Sequence, residues 1–252
     1  MGLTIHYNLC SGVRNPQQAH DLVARLRSRA LDLPMERVDD ILELSGAACE
    51  YQRYDREHPN RWLLIQAGKH VDDPHRQGYS YSVSPSHLIA FSTWPGQGCE
   101  EANFGLCRYP AVIEVVDPLH RGQRRTIRTR LGGWRWSSFC KTQYASNPDC
   151  GGVANFLRCH LSVIRMLDHA KQLGILQGVS DEGEFWEKRN VESLAREVGQ
   201  WNGMIASLAG QLKDLLGPNL AAPITEYPDF EHLEAKGNSD AQRNRHVPNR
   251  ES

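Results

Sequence analysis

The stretch Arg124–Cys140, RRTIRTRLGGWRWSSFC, reads as two strands separated by Gly132-Gly133. In the first, Arg124, Thr126, Arg128 and Arg130 alternate along one face, as a period of two requires. The second opens with Trp134-Arg135-Trp136 and runs to Cys140. Strands this close cannot be joined by a helical crossover, so they predict a largely antiparallel sheet. The same short spacing recurs upstream, where strands are predicted at Val38–Leu44, Trp62–Gln66, Tyr79–Val83, His87–Thr93 and Val112–Val116.

The N-terminal segment is different. Leu3, Ile5, Tyr7 and Leu9 alternate with Thr4, His6 and Asn8 as one half-buried strand, and Asn15-Pro16 then starts a helix. Ala19, Leu22, Val23, Leu26 and Ala30 form its buried stripe, which Leu33-Pro34 ends. The order strand, helix, strand, strand matches half of a ferredoxin-like sandwich, an analogy from element order alone. Downstream, Val153–Lys171 and Val191–Leu216 read as helices flanking a strand at Ile175–Ser180.

The expected fold is therefore α+β: a predominantly antiparallel sheet of about six to nine strands, with helices packed on one face and a long C-terminal amphipathic helix. A single domain is expected over residues 1–218, with a sub-boundary near 150 left open, followed by an extended segment at 219–235 and a disordered tail at 236–252.

With 252 residues, 40% of them hydrophobic, the chain can bury a substantial core without a disulfide scaffold. Its seven cysteines are odd in number and scattered, and the first residues carry neither the basic head nor the apolar run of a secretory signal. A soluble protein of the reducing cytoplasm is expected. No apolar run is long enough to span a membrane. A formal net charge of −1 provides no long-range field for nucleic acid, so any such binding must come from a local patch.

Chemistry-bearing side chains concentrate between Trp134 and His160. On the helix after Gly151-Gly152, His160 falls among Val153, Phe156, Leu157, Leu161, Ile164 and Leu167, which aims an imidazole at the core. Its bland reading is a core histidine bonded to a backbone carbonyl. Its functional reading is a general base, with Cys140 as nucleophile and Asp181 or Glu182, at the end of the following strand, as acid partners. Lys141, Gln143 and Tyr144 follow Cys140 directly and are candidate ligand contacts. So are Trp94 and Glu100 in the glycine-bearing segment Trp94–Gly105, expected as a long loop walling a pocket.

Cys140, Cys150, Cys159 and His160 lie near one another in sequence, but the only close pair is Cys159-His160, whose side chains diverge by a helical step. No metal site is predicted, and no cofactor is indicated. The basic run Arg121, Arg124, Arg125, Arg128, Arg130 and Arg135 supports a second class of function. Arg128 and Trp136 would line one sheet face able to grip phosphates and stack bases, unless the arginines are solvated and paired with acidic neighbours.

The leading expectation is a small-molecule enzyme of hydrolytic or transfer type using the Cys140, His160 and acid constellation. The first alternative is a module binding nucleic acid or a phosphorylated ligand through the Arg and Trp face. The second is a non-catalytic interaction protein that oligomerises through the 191–216 helix.

Overall fold

A computed structural model describes residues 3–51, 58–116 and 124–200. The chain begins with β1 (Thr4–Ser11), whose Ile5, Tyr7 and Leu9 are buried while His6 and Asn8 are exposed. In α1 (Pro16–Leu31) the Asn15 side chain accepts from the Gln18 amide at 2.8 Å, and Ala19, Val23, Leu26 and Ala30 face the core. Two short strands, β2 (Arg37–Val38) and β3 (Leu42–Ser45), divide the expected Val38–Leu44 strand between them.

Residues expected as a strand at Trp62–Gln66 instead form α2 (Arg61–Ala67). Leu63, Leu64 and Ala67 are buried while Trp62 and Ile65 are exposed, a helical spacing. So short an apolar run fits either period, and tertiary packing decides between them.

β4 (Lys69–Asp72), β5 (Ser80–Val83), β6 (His87–Trp94), β7 (Ala102–Arg108), β8 (Val112–Val116), β9 (Arg124–Arg128) and β10 (Trp134–Lys141) follow. The described chain then continues through α3 (Gly152–Gln172), β11 (Leu176–Asp181) and α4 (Phe185–Lys188). Residues 191–200 are helical. The rest of the expected 191–216 helix, Trp201 included, lies outside the described residues, as do the 219–235 segment, the 236–252 tail and Arg121.

The main sheet has seven strands in the order β11-β1-β10-β7-β6-β2, with β3 also paired to β6, and the pairings are antiparallel. The ferredoxin-like analogy fails here. β1 is flanked by β10 and β11 rather than by the strands next to it in sequence.

Gly132-Gly133 does not close a hairpin either. β9 pairs with β8 in a separate two-stranded sheet, and β10 joins β1 and β7. Left-handed backbone at Arg130 (φ 57°) and Gly133 (φ 72°) turns the chain from one sheet into the other.

Helix α1 packs on β6, β7 and α3, while α2 lies against β6 and β10. Alternation with one wet face holds for β1 and β10, but β6 and β7 are buried along nearly their whole length. Among the described residues no helix is long and apolar enough to cross a membrane.

The centre of the sheet tolerates no added atoms. A Cβ on Gly105 of β7 would lie 2.5 Å from the Ala90 Cβ and 2.6 Å from the Ile89 carbonyl oxygen on β6. Gly105→Ala is expected to lower the unfolding free energy by about 1–3 kcal/mol, read from urea denaturation. An unchanged midpoint would show that the two strands have room to separate.

Candidate functional site

His160 lies on α3 over the end of the sheet where β10, β1 and β11 run side by side, with Cys140, Ile5 and Asp181 in register across the three strands. The imidazole is fully buried, and both ring nitrogens are engaged: Nε2 is 3.2 Å from Asp181 Oδ2 and Nδ1 is 2.9 Å from Thr142 Oγ1. Thr142 Oγ1 is also 3.4 Å from the Leu3 carbonyl, a second acceptor for its hydroxyl proton. The Thr142 amide in turn donates to the Leu3 carbonyl at 3.0 Å.

Asp181 is held from its other side as well. It accepts from the Gly183 amide at 2.9 Å and the Trp186 amide at 2.9 Å. Burial alone would raise its pKa, but His160 and these two amides outweigh burial and hold the carboxyl below its ordinary range. Glu182, the other acid expected here, points elsewhere: its carboxylate accepts from the exposed Thr4 amide at 2.9 Å.

Cys140 is not coupled to this chain of groups. Ile5 stands between it and Asp181 in the register, and its Sγ donates to the Glu100 carbonyl at 3.3 Å. Burial first, then the Glu100 carboxylate, push its thiol above the usual range, so it is protonated at neutral pH. The structure bonds His160 to Asp181, whereas the Cys140 thiol bonds the Glu100 carbonyl.

Of the residues expected as ligand contacts, Glu100, Lys141 and Tyr144 lie together, and Trp94 bonds the loop next to Glu100. Trp94 Nε1 donates to the Cys99 carbonyl at 3.1 Å, the Glu100 amide to the Lys141 carbonyl at 2.9 Å, and the Lys141 amide to Glu100 Oε2 at 3.3 Å. Lys141 Nζ lies 4.7 Å from the ring centroid of exposed Tyr144. Gly98 (φ 77°) is seated so tightly that a Cβ would be 2.4 Å from the Tyr144 carbonyl oxygen. Gln143, beside them in sequence, is buried, and its amide oxygen and nitrogen have no partner among the described residues. The open loop expected from Trp94 to Gly105 is shorter than read, because Ala102 onward is β7.

Trp136 and Arg128 belong to neither group, nor to each other. Trp136 is 1% exposed and its Nε1 donates to the Asn103 carbonyl at 2.8 Å. A buried tryptophan removes on the order of 200 Å² from water, worth several kcal/mol to the fold, so this ring serves the core and offers no face for a base. The expected Arg and Trp surface does not form.

The arginines themselves divide. Arg124 pairs with Glu114, and Arg125 with Asp73, which the Tyr81 hydroxyl also serves. The paired reading describes both. Arg128 and Arg130, by contrast, have no acidic partner among the described residues, and with Arg108 they line a cleft of about 330 Å³. Its wall is completed by Tyr109, Thr129 and Gly132-Gly133, with no carboxylate among the described lining residues. Thr129 anchors that wall, its hydroxyl donating to the Pro110 carbonyl at 2.6 Å and its amide to the Ala111 carbonyl at 3.0 Å.

A larger groove of about 670 Å³ between α1 and α3 mixes Arg25, Arg29 and Arg165 with Asp32 and Asp168. Arg189 clamps Asp168 with two bonds, 2.8 and 2.9 Å, and the groove is mixed in charge. Among the described residues no three of the His, Cys, Asp and Glu side chains are grouped to hold a metal ion.

Sequence reasoning missed Thr142 and Arg108. Thr142 sits next to residues already singled out, but only the fold carries it to His160. Arg108 ends β7, whose first residues were read as loop and whose last were assigned to no element, so nothing in the sequence placed it near Arg128. No family model, curated protein or solved structure matches this chain.

Proposed function

We propose that the protein binds a phosphorylated small ligand in the cleft of Arg108, Arg128 and Arg130. The observation that carries this reading is a hollow lined by three arginines, with no carboxylate among its described lining residues, in a chain whose formal net charge is −1. Guanidinium groups suit phosphate because they donate two parallel, charge-assisted hydrogen bonds. The volume favours a small molecule over a polymer, since about 300–1,000 Å³ is the usual range for such ligands. With Trp136 in the core, its ring offers no stacking platform beside the arginines, and a nucleic-acid strand has less to hold.

Arg130 supports the reading in another way. Its φ of 57° is left-handed, a conformation that costs a non-glycine residue about 1–2 kcal/mol. Strain of this kind at a cleft wall is consistent with a side chain retained for what it does there.

The test is a calorimetric titration with inorganic pyrophosphate, with sulfate as a less charged comparison. Binding to pyrophosphate is expected, and raising ionic strength to about 0.5 M should weaken it at least tenfold by screening. A salt-independent or absent signal counts against the reading.

The enzyme reading, of hydrolytic or transfer type, stands second and rests on the Asp181–His160–Thr142 chain. An acid, an imidazole and a hydroxyl in this order match the groups of an acyl-transfer relay. Against it, Thr142 and His160 are fully buried and Asp181 is 6% exposed, so a substrate has no direct approach past the described residues.

A further inference from the structure

The groove between α1 and α3 shares no lining residue with the cleft of Arg108, Arg128 and Arg130, and its charges are arranged differently. Arg158, near the start of α3, bonds the Pro34 carbonyl just past the end of α1, so α3 starts beside that end and runs back along α1. Arg25 and Arg29 stand four residues apart on α1, and Arg165 and His169 four apart on α3. All four line the groove. Residues so spaced lie about 5–6 Å apart at their Cβ atoms, so each wall carries a pair of basic side chains one helical turn apart.

Arg25, Arg29 and Arg165 have no acidic partner among the described residues. Arg27, which lies between the first two in sequence, pairs instead with Asp40, and its Nε donates to the Asp39 carbonyl at 2.7 Å. Of the two acids at the groove, Asp168 is already held by Arg189, whose guanidinium also lies 4.4 Å from the Trp186 ring centroid. Asp32 ends α1, its amide donating to the Arg29 carbonyl at 3.2 Å, and its carboxylate bonds no group among the described residues. The lining therefore sets three guanidinium groups against one unpaired carboxylate.

We propose that this groove is a second binding site, independent of the phosphate cleft, for a small hydroxylated polycarboxylate. Carboxylate oxygens accept the same paired, charge-assisted hydrogen bonds from guanidinium groups as phosphate does. The spacing and the two acids decide between these anions. Basic groups distributed along two walls match several singly charged groups a few bonds apart. A phosphate instead concentrates its charge on one centre, which Asp32 and Asp168 repel together, whereas separate carboxylates each face one arginine. Asp32, an acceptor without a donor, takes the proton of a ligand hydroxyl. A volume of about 670 Å³ lies within the range usual for small-molecule sites.

The test is a calorimetric titration of the full chain with citrate at low ionic strength, beside tricarballylate, which carries the same carboxylates and lacks the hydroxyl. Citrate is expected to bind with a dissociation constant below about 1 mM, roughly tenfold more tightly than tricarballylate. Arg25→Ala and Arg165→Ala alter exposed side chains and should leave the circular dichroism spectrum unchanged. Each is expected to weaken citrate binding about tenfold. Absence of citrate binding by wild type overturns the site, as does an affinity that neither arginine variant changes. Equal affinity for the two acids removes the Asp32 contact and with it the ligand class. Citrate binding lost in Arg128→Ala would place the acid in the other cleft and overturn the assignment, while leaving the phosphate reading to its own titration.

Discussion

Asp181→Ala is expected to lower the unfolding free energy by about 3–5 kcal/mol, because it removes a buried carboxylate to which three groups are bonded. The change leaves His160 Nε2 without an acceptor and orphans the Gly183 and Trp186 amides together. Each buried donor left unsatisfied costs about 1–3 kcal/mol by itself. Glu182→Ala, one residue away, should cost less than about 1 kcal/mol because its carboxylate serves a single exposed amide. The pair of variants separates a buried anchor from a surface contact.

The pH dependence has a definite sign. The folded-state pKa of Asp181 is depressed, so its contribution is fully present above the unfolded carboxyl value of about 3.9 and is lost as pH falls through the lower folded value. The gap between wild type and Asp181→Ala in urea unfolding should therefore be constant near neutrality and narrow only below about pH 4. Equal midpoints for the two proteins at pH 7 would mean that His160 and the two amides find other partners.

Much of the fold could be read from local pattern. The alternation of Leu3 to Leu9, the cap at Asn15-Pro16 and the inward stripe around His160 depend on period and capping, which act within a few residues. What could not be read was non-local. β7 escaped because a strand buried on both faces shows no alternation, and its glycine at 105 looks like a loop signal until the contact with Ala90 is known. The turn at Gly132-Gly133 suggested a hairpin, but pairing is chosen by the partners available: β8 takes β9, and β1 and β7 take β10.

The same distinction runs through the site. An inward His160 follows from helix geometry, whereas its hydrogen bond with Thr142 depends on how β10 ends. The alternating arginines were visible, but which of them are paired depends on Glu114 and on Asp73, which lies in a different part of the sequence. Trp136 was assigned to the wrong side of its environment because alternation tells which residues share a face and not which face is wet.

Arg130→Gly should change stability and binding in opposite directions. Glycine adopts a φ of 57° without penalty, so relief of strain should raise the unfolding free energy by about 1 kcal/mol. The same change deletes one of the guanidinium groups lining the cleft. Loss of a hydrogen bond to a charged group is worth about 1.5–3 kcal/mol, so pyrophosphate affinity should fall roughly tenfold to a hundredfold. A residue kept only for structure would not show this opposition. If Arg130→Gly lowers stability, the strain argument fails, and if it leaves affinity unchanged, Arg130 takes no part in binding.

The most direct measurement is the pyrophosphate titration of wild type beside the double variant Arg128→Ala, Arg130→Gly at low ionic strength. An arginine-lined phosphate site predicts that the double variant, still folded, binds at least about a hundredfold more weakly than wild type. Affinities within twofold of each other, or no binding by wild type, would contradict it.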